Sequence, residues 1–176
     1  MKKDYFLVNC CSSRKPDARC KVSPEDAEKV LLHKWSFTNG PDGRDYVRSI
    51  DRSTRPPRQI KLHRYLLDAP EGMQVDHING DPLDNRRENL RLATASQNQA
   101  NRRKREAATS IYKGVSWHKK AGKWRATIGI GNGKQEHLGF YDDPKIAATA
   151  YDVRALQLWG AYASLNLPER ASAGTN

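Results

Sequence analysis

The sequence predicts an α+β chain in two units: an N-terminal unit of short strands and helices, and a C-terminal three-stranded antiparallel sheet packed on one helix. Three observations carry that expectation. The 176 residues suffice for two small domains. Short apolar runs are broken by Pro and Gly throughout. In the last third, strand-like stretches at Gly114 to Trp117, Trp124 to Ile130 and Gln135 to Tyr141 are joined by Lys-Ala-Gly and Gly-Asn-Gly turns and followed by a helix that opens at Pro144.

Tyr5 to Cys10 and Arg19 to Val22 read as short strands around a polar loop. Ser23-Pro-Glu-Asp then reads as a helix start: Ser23 as cap, Pro24 at the first helical position and acids at the positive end, with a helix to about His33. Trp35, Phe37, Tyr46, Val47 and Ile50 flank the Asn39-Gly-Pro-Asp-Gly turn as a hairpin whose aromatics belong to the core. Leu62, Tyr65, Leu66 and Ile60 fit one helical face, which Asp68-Ala-Pro-Glu-Gly terminates. A strand at Met73 to His77, an Asn/Gly/Asp/Pro-rich loop and a helix from near Ala95 follow. The final helix runs from Pro144 through Ala147, Ala148, Tyr151 and Leu158 to about Trp159, where Gly160 stops it.

The chain carries 31 Lys+Arg against 20 Asp+Glu, a formal charge of +11, which points to a polyanionic partner. Between Asn85 and Glu106, Arg86, Arg87, Arg91, Arg102, Arg103, Lys104 and Arg105 face only Glu88 and Glu106, a density suited to phosphate contacts or to a solvated basic linker. No apolar run reaches the length of a membrane span, so a soluble, intracellular protein is expected. Cys10, Cys11 and Cys20 make a poor disulfide framework, and with His33 they lack the paired C-x-x-C spacing of a zinc site.

Val75-Asp76-His77-Ile78-Asn79-Gly80-Asp81, then Asp84-Asn85-Arg86-Arg87-Glu88-Asn89-Leu90-Arg91 and Ser96-Gln97-Asn98, resembles the HNH endonucleases in which Asn replaces the final metal-binding His, a variant found in homing-type nickases of phages and introns. Asn89 follows His77 by 12 residues and Asn98 by 21, so side chains from strand, loop and helix can converge. The resemblance implies a ββα-metal (His-Me finger) core and hydrolysis of a DNA phosphodiester. In that scheme His77 is the general base, because imidazole titrates near working pH. Asn89 fixes its tautomer by accepting the other ring N–H. Asp76 and Asn98 hold one divalent ion, Mg2+ or Mn2+, whose hardness suits oxygen donors. Without the matching Asn89 and Asn98, the same loop would be read as Asx turns that satisfy themselves, the role expected of Asn79, Asp81, Asp84 and Asn85. His63, in the preceding helix, stays outside the catalytic set, as suited to packing or phosphate contact as to catalysis.

Further on, Tyr112-Lys113-Gly114-Val115, Lys123-Trp124-Arg125-Ala126-Thr127-Ile128, His137-Leu138-Gly139-Phe140-Tyr141, Ala147-Ala148…Ala150-Tyr151-Asp152 and Leu165-Asn166 resemble the plant ethylene-response-factor domain of the APETALA class. If Ala126 and Ile128 pack on the helix, Arg125 and Thr127 point away from it. The family's DNA-facing positions then nominate Lys113, Ser116, His118, Arg125, Thr127 and His137; Arg102, Arg103, Lys104 and Arg105 of the basic stretch are the expected phosphate contacts. Ser116, His118 and Gly129 stand where the plant domains have arginine, so their base preferences do not transfer.

The layout expected is an N-terminal portion of the nuclease unit at 1–57, a catalytic core at 58–102, a basic linker at 103–111, the DNA-gripping domain at 112–168 and a tail at 169–176. Double-stranded DNA is the expected partner of a monomeric enzyme. A DNA-binding regulator without catalysis is the alternative, and a structured-RNA binder fits less well because the sheet offers no evident pair of base-stacking aromatics.

Overall fold

The computed structural model describes residues 4–13, 15–39, 45–102, 110–131 and 133–168. It has a mixed α+β architecture of several small sheets and few helices, and divides into two compact units, Met1–Thr94 and Ala95–Asn176.

In the first unit, β1 (Phe6–Asn9) and β2 (Arg19–Val22) form an antiparallel hairpin. A single 3-10 turn, Pro24–Asp26, leads into α1 (Ala27–Leu31). The helix expected to reach His33 is therefore short, and Ser23 does not cap it: its Oγ accepts the backbone N–H of Arg87 at 2.8 Å, a tie across the unit. β3 (Ser36–Asn39), β4 (Asp45–Asp51) and β5 (Arg58–Lys61) make an antiparallel meander, so Ile60 belongs to a strand and not to the helix that follows. The turn joining β3 to β4 lies outside the described residues. α2 (Leu62–Leu66) is five residues long, yet Leu62 and Leu66 are fully buried beside Val22, Val30, Trp35 and Val47. Such a short helix has almost no intrinsic stability in water and is held by this burial.

β6 (Gln74–His77) comes next. Two residues, β7 (Asp84–Asn85), then pair in parallel with β2, and β8 (Leu90–Ala93) pairs antiparallel with β6. The loop around the DNRRENLR stretch is thus clamped between β2 and β6.

In the second unit, α3 (Ala95–Asn101), counted above with the catalytic core, groups with β9 (Val115–His118), β10 (Lys123–Gly131), β11 (Lys134–Tyr141) and α4 (Pro144–Trp159). The sheet order is β11-β10-β9, antiparallel throughout, and α4 packs on it. Asp143 caps α4 by accepting the N–H groups of Lys145 and Ile146, with Pro144 in the first turn. The core is built from Val115, Ala126 and Ile128 against Ala147, Ala148, Tyr151 and Ala155. Small residues on both sides bring helix and sheet close. Gly114 shows how close: at φ +74° a Cβ there would lie 2.2 Å from the Tyr151 ring and 2.5 Å from the Thr127 carbonyl oxygen.

Candidate active site and nucleic-acid face

The β6–β8 pairing sets Asp76 directly opposite Arg91. Arg91 donates from Nε at 2.9 Å and from a terminal nitrogen at 2.7 Å to the Asp76 carboxylate, and Asp76 is only 4% exposed. A carboxylate this deep needs a cation, and the guanidinium supplies one. His77 ends the strand and projects elsewhere, as alternation requires. Its Nε2 lies 3.3 Å from Oδ1 of Asn85, and its ring meets the His63 ring edge-on at 5.3 Å.

Asn89, expected to orient His77, is spent on the loop instead. Its Oδ1 accepts the Asn79 backbone N–H at 2.9 Å, and its Nδ2 donates to Asn79 Oδ1 at 3.0 Å and to the Asp84 carbonyl at 2.7 Å. The carboxamide facing the imidazole belongs to Asn85, which is fully buried and also donates to the Pro82 carbonyl. Asn79, Asp81 and Asp84 do build the loop: Asn79 Nδ2 donates to Asp84 Oδ2, Asn79 Oδ1 accepts from Asp81 N, and Asp81 Oδ1 accepts from Leu83 N. Nothing in residue spacing marks Asn85 as the partner of His77, because its position depends on the parallel pairing of β7 with a strand more than sixty residues earlier.

The arginines of this stretch are largely accounted for. Arg86 forks onto Asp84 with two 2.7 Å bonds and also pairs with Glu88; Arg87 grips buried Asp26 at 2.7 and 2.8 Å and donates to the Leu66 carbonyl. With Arg91 on Asp76, three arginines of the stretch read above as phosphate contacts or a solvated linker brace the fold instead. The Arg86 fork holds the Asp84 carboxyl below the usual carboxylate range.

Burial lowers the pKa of His77, a shift that the Asn85 hydrogen bond and the carboxylates of Asp76, Asp81 and Asp84 oppose. His63 is lowered further, to about 3, by burial first and then by His77, Lys61 and Arg64. Both rings are therefore neutral near pH 7. Asn98, the second expected metal ligand, is half-buried on α3 in the second unit. Among the described residues no three His, Cys, Asp or Glu side chains cluster to hold a metal; Cys10 and Cys20 are buried in the core while Cys11 is exposed. The expected ligand pair is one carboxylate and one carboxamide, and that oxygen chemistry fits a hard divalent ion: a carboxylate can take an arginine fork on one oxygen and a cation on the other.

In the second unit, Ala126 and Ile128 are buried against α4, so Ser116, His118, Arg125, Thr127 and His137 lie on the opposite face of the sheet. Arg125 and His137 are exposed; Ser116, His118 and Thr127 are half-buried. Lys113 is not on this face. Its Nζ donates to the Ala100 carbonyl and lies 5.9 Å from the centre of the Tyr151 ring, and burial pushes its pKa down to about 8. Its backbone is held by Asn166, whose side chain accepts from Lys113 N and donates to its carbonyl while Asp152 anchors Asn166. The Leu165-Asn166 signature is thus a structural clamp. Arg102 is exposed, whereas Arg103, Lys104 and Arg105 lie outside the described residues.

Residues 68–100 match the HNH endonuclease family, a span that contains β6, the loop, β8 and most of α3. The chain is also 37% identical over 94 residues to Protein 3.8 of Escherichia phage T7, an alignment covering 53% of this chain and 76% of that protein. The chain belongs to the family of Protein 3.8. Further similarity, 39% identity over 69 residues, links it to the AP2-like ethylene-responsive transcription factors At2g41710 and AIL7 of Arabidopsis thaliana, covering 34% of this chain but only 16% and 14% of those proteins. No helix among the described residues is long and apolar enough to cross a membrane.

Proposed function

We propose that this protein is a metal-dependent DNA endonuclease of the HNH type, of the variant with Asn98 at the last ligand position, that nicks duplex DNA and serves a homing-type element. The observation that carries the reading is the environment of His77: an imidazole kept neutral by burial, at the end of a strand within the HNH match, with Nε2 against the Asn85 carboxamide oxygen. An Nε2–H donated to that oxygen leaves the Nδ1 lone pair as the base. His77 then takes a proton from water as the oxygen attacks phosphorus, the P–O3′ bond breaks, and the 3′-oxygen leaves with a proton from solvent. Asp76 and Asn98 would hold magnesium or manganese, one ion per site, which when bound neutralises charge on the phosphate. Asn89 sets the loop that carries Asn79 and Asp84, and so the position of β7 and Asn85.

The second unit supplies the grip on duplex DNA, through Arg125, His118, Thr127, His137 and Ser116 in the major groove and Arg102 and its basic neighbours Arg103, Lys104 and Arg105 on phosphates. The Arabidopsis relatives favour one other reading, a DNA-binding regulator without catalysis. One experiment separates the two. Supercoiled plasmid incubated with the protein and magnesium should become open-circular, and His77→Ala should retain plasmid binding in a gel shift while losing at least a hundredfold in nicking rate. Undiminished nicking by that variant rules out His77 as the base; no nicking by the parent under any divalent ion leaves the regulator.

A further inference from the structure

We infer that Phe140 is a specificity-determining residue, whose ring reads the 5-methyl group of a thymine in the major groove beside a base contacted by Arg125. The inference rests on the assignment of the outer sheet face to DNA. On that face the cross-strand partners of Arg125 are Ser116 on β9 and Phe140 on β11, so the three form one row. Every other member of the face nominated for DNA is polar or basic, yet Phe140 is 42% exposed.

A single exposed phenylalanine is ordinary on a protein surface. Two features set this one apart. The His137 and His118 rings lie 4.7 and 5.1 Å from its centre, tilted at 61° and 59°, and flank it from the same strand and from across β10. Those contacts hold the ring in place. His118 is itself fixed, because its Nδ1 accepts the Ala121 backbone N–H at 3.2 Å, which leaves Nε2–H as a donor. Phe140 and Arg125 also line one shallow concavity of about 360 Å³, together with Thr127, Gln135, Glu136 and His137.

Of the groups that base pairs present in the major groove, the thymine methyl is the apolar one, and a phenyl ring is among its natural contacts. Arginine is the commonest reader of guanine in the same groove. Cross-strand neighbours stand about 5 Å apart and base pairs rise about 3.4 Å, so a ring and a guanidinium in one row address bases one or two steps apart. The face is therefore expected to select a thymine within about two base pairs of a guanine, a preference set by position 140 independently of the nuclease chemistry.

The test selects duplexes from a library with a randomised core, using full-length protein in chelator so that nothing is cut. Parent protein should enrich one T near a G, and Phe140→Ala should lose the T while keeping the G. The selected duplex is then remade with deoxyuridine at that single T, which deletes only the methyl. Binding by the unaltered protein should weaken about three- to fivefold, the worth of one buried methyl group. Equal affinity for T and U, or a T preference that survives in Phe140→Ala, overturns the role of Phe140 while leaving the DNA-binding face standing. Absence of any duplex selection overturns both.

Discussion

Replacing Arg91 by Met asks how much of the first unit hangs on one ion pair. Asp76 and Arg91 are direct cross-strand partners in a two-stranded sheet, with side chains 5% and 16% exposed and two hydrogen bonds of 2.9 and 2.7 Å between them. Met keeps most of the stem volume but takes the forked guanidinium away from a buried carboxylate, a loss of about 3–5 kcal/mol when one member of a buried pair is removed. In a unit spanning residues 1–94, each kcal/mol is worth about 4–8 °C of melting temperature, so the first unit should melt at least ~12 °C lower. Differential scanning calorimetry on the full chain reads this. The double variant Asp76→Asn with Arg91→Met removes the orphaned charge and should recover more than half of the loss. A shift below ~4 °C in the single variant, or a double variant as unstable as the single one, refutes the claim that the pair is a buried, mutually dependent unit.

Asn85→Ala removes the oxygen facing His77 Nε2 and should slow single-turnover nicking about 10–100-fold with DNA affinity unchanged; a proportionate loss of affinity would make Asn85 merely structural. His63 gives a pH dependence of definite sign. Its folded pKa of about 3 lies below the ordinary value of 6.5, so the unfolded chain binds the proton more readily. The stability it contributes is complete above pH 6.5 and falls, by up to ~1.4 kcal/mol per pH unit, as pH drops toward 3. In urea titrations at pH 7, 5 and 4, His63→Gln should therefore lose less stability on acidification than the parent; parallel losses refute the assignment. Chelator should abolish nicking while shifting the melting temperature by less than ~2 °C, as scanning calorimetry with and without it will show, because the loop is held by ion pairs within the chain; a collapse of the first unit on chelation refutes this.

Local chemistry was legible in the sequence wherever neighbours decide it. Pro144 and Gly160 bounded the last helix at the residues where it begins and stops, and strand alternation put Ala126 and Ile128 inside and Arg125 outside. What could not be read depends on contacts between distant segments. Ser23 looks like a cap, yet its hydroxyl serves Arg87. Lys113 looks like a DNA contact by family position, yet it is drawn toward the Ala100 carbonyl and the Tyr151 ring. Asn85 and Asn89 are alike in local sequence, and only the pairing of β7 with β2 assigns one to the imidazole and the other to the loop.

The three arginine pairs also change what the net charge means. Arg86, Arg87 and Arg91 are matched by Asp84, Asp26 and Asp76, so the DNRRENLR segment adds little to the field that a polyanion would meet. Residues 95–176 hold 13 of the 31 Lys and Arg but only 6 of the 20 Asp and Glu, so the larger share of the excess lies in the second unit. A charge distribution of that kind separates two tasks that a basic motif would otherwise confuse. The arginines around His77 use their geometry, forking onto carboxylates so that a loop rich in Asn and Asp holds one shape. In the second unit Arg154 and Lys123 pair with Glu136 and Asp142 and Lys113 is drawn to a carbonyl, whereas Arg125 is exposed and faces solvent or phosphate, where long-range attraction acts. Affinity for DNA should then follow substitutions on the outer sheet face of the second unit, and chemistry those around His77 together with Asn98, because few side chains are asked to serve both.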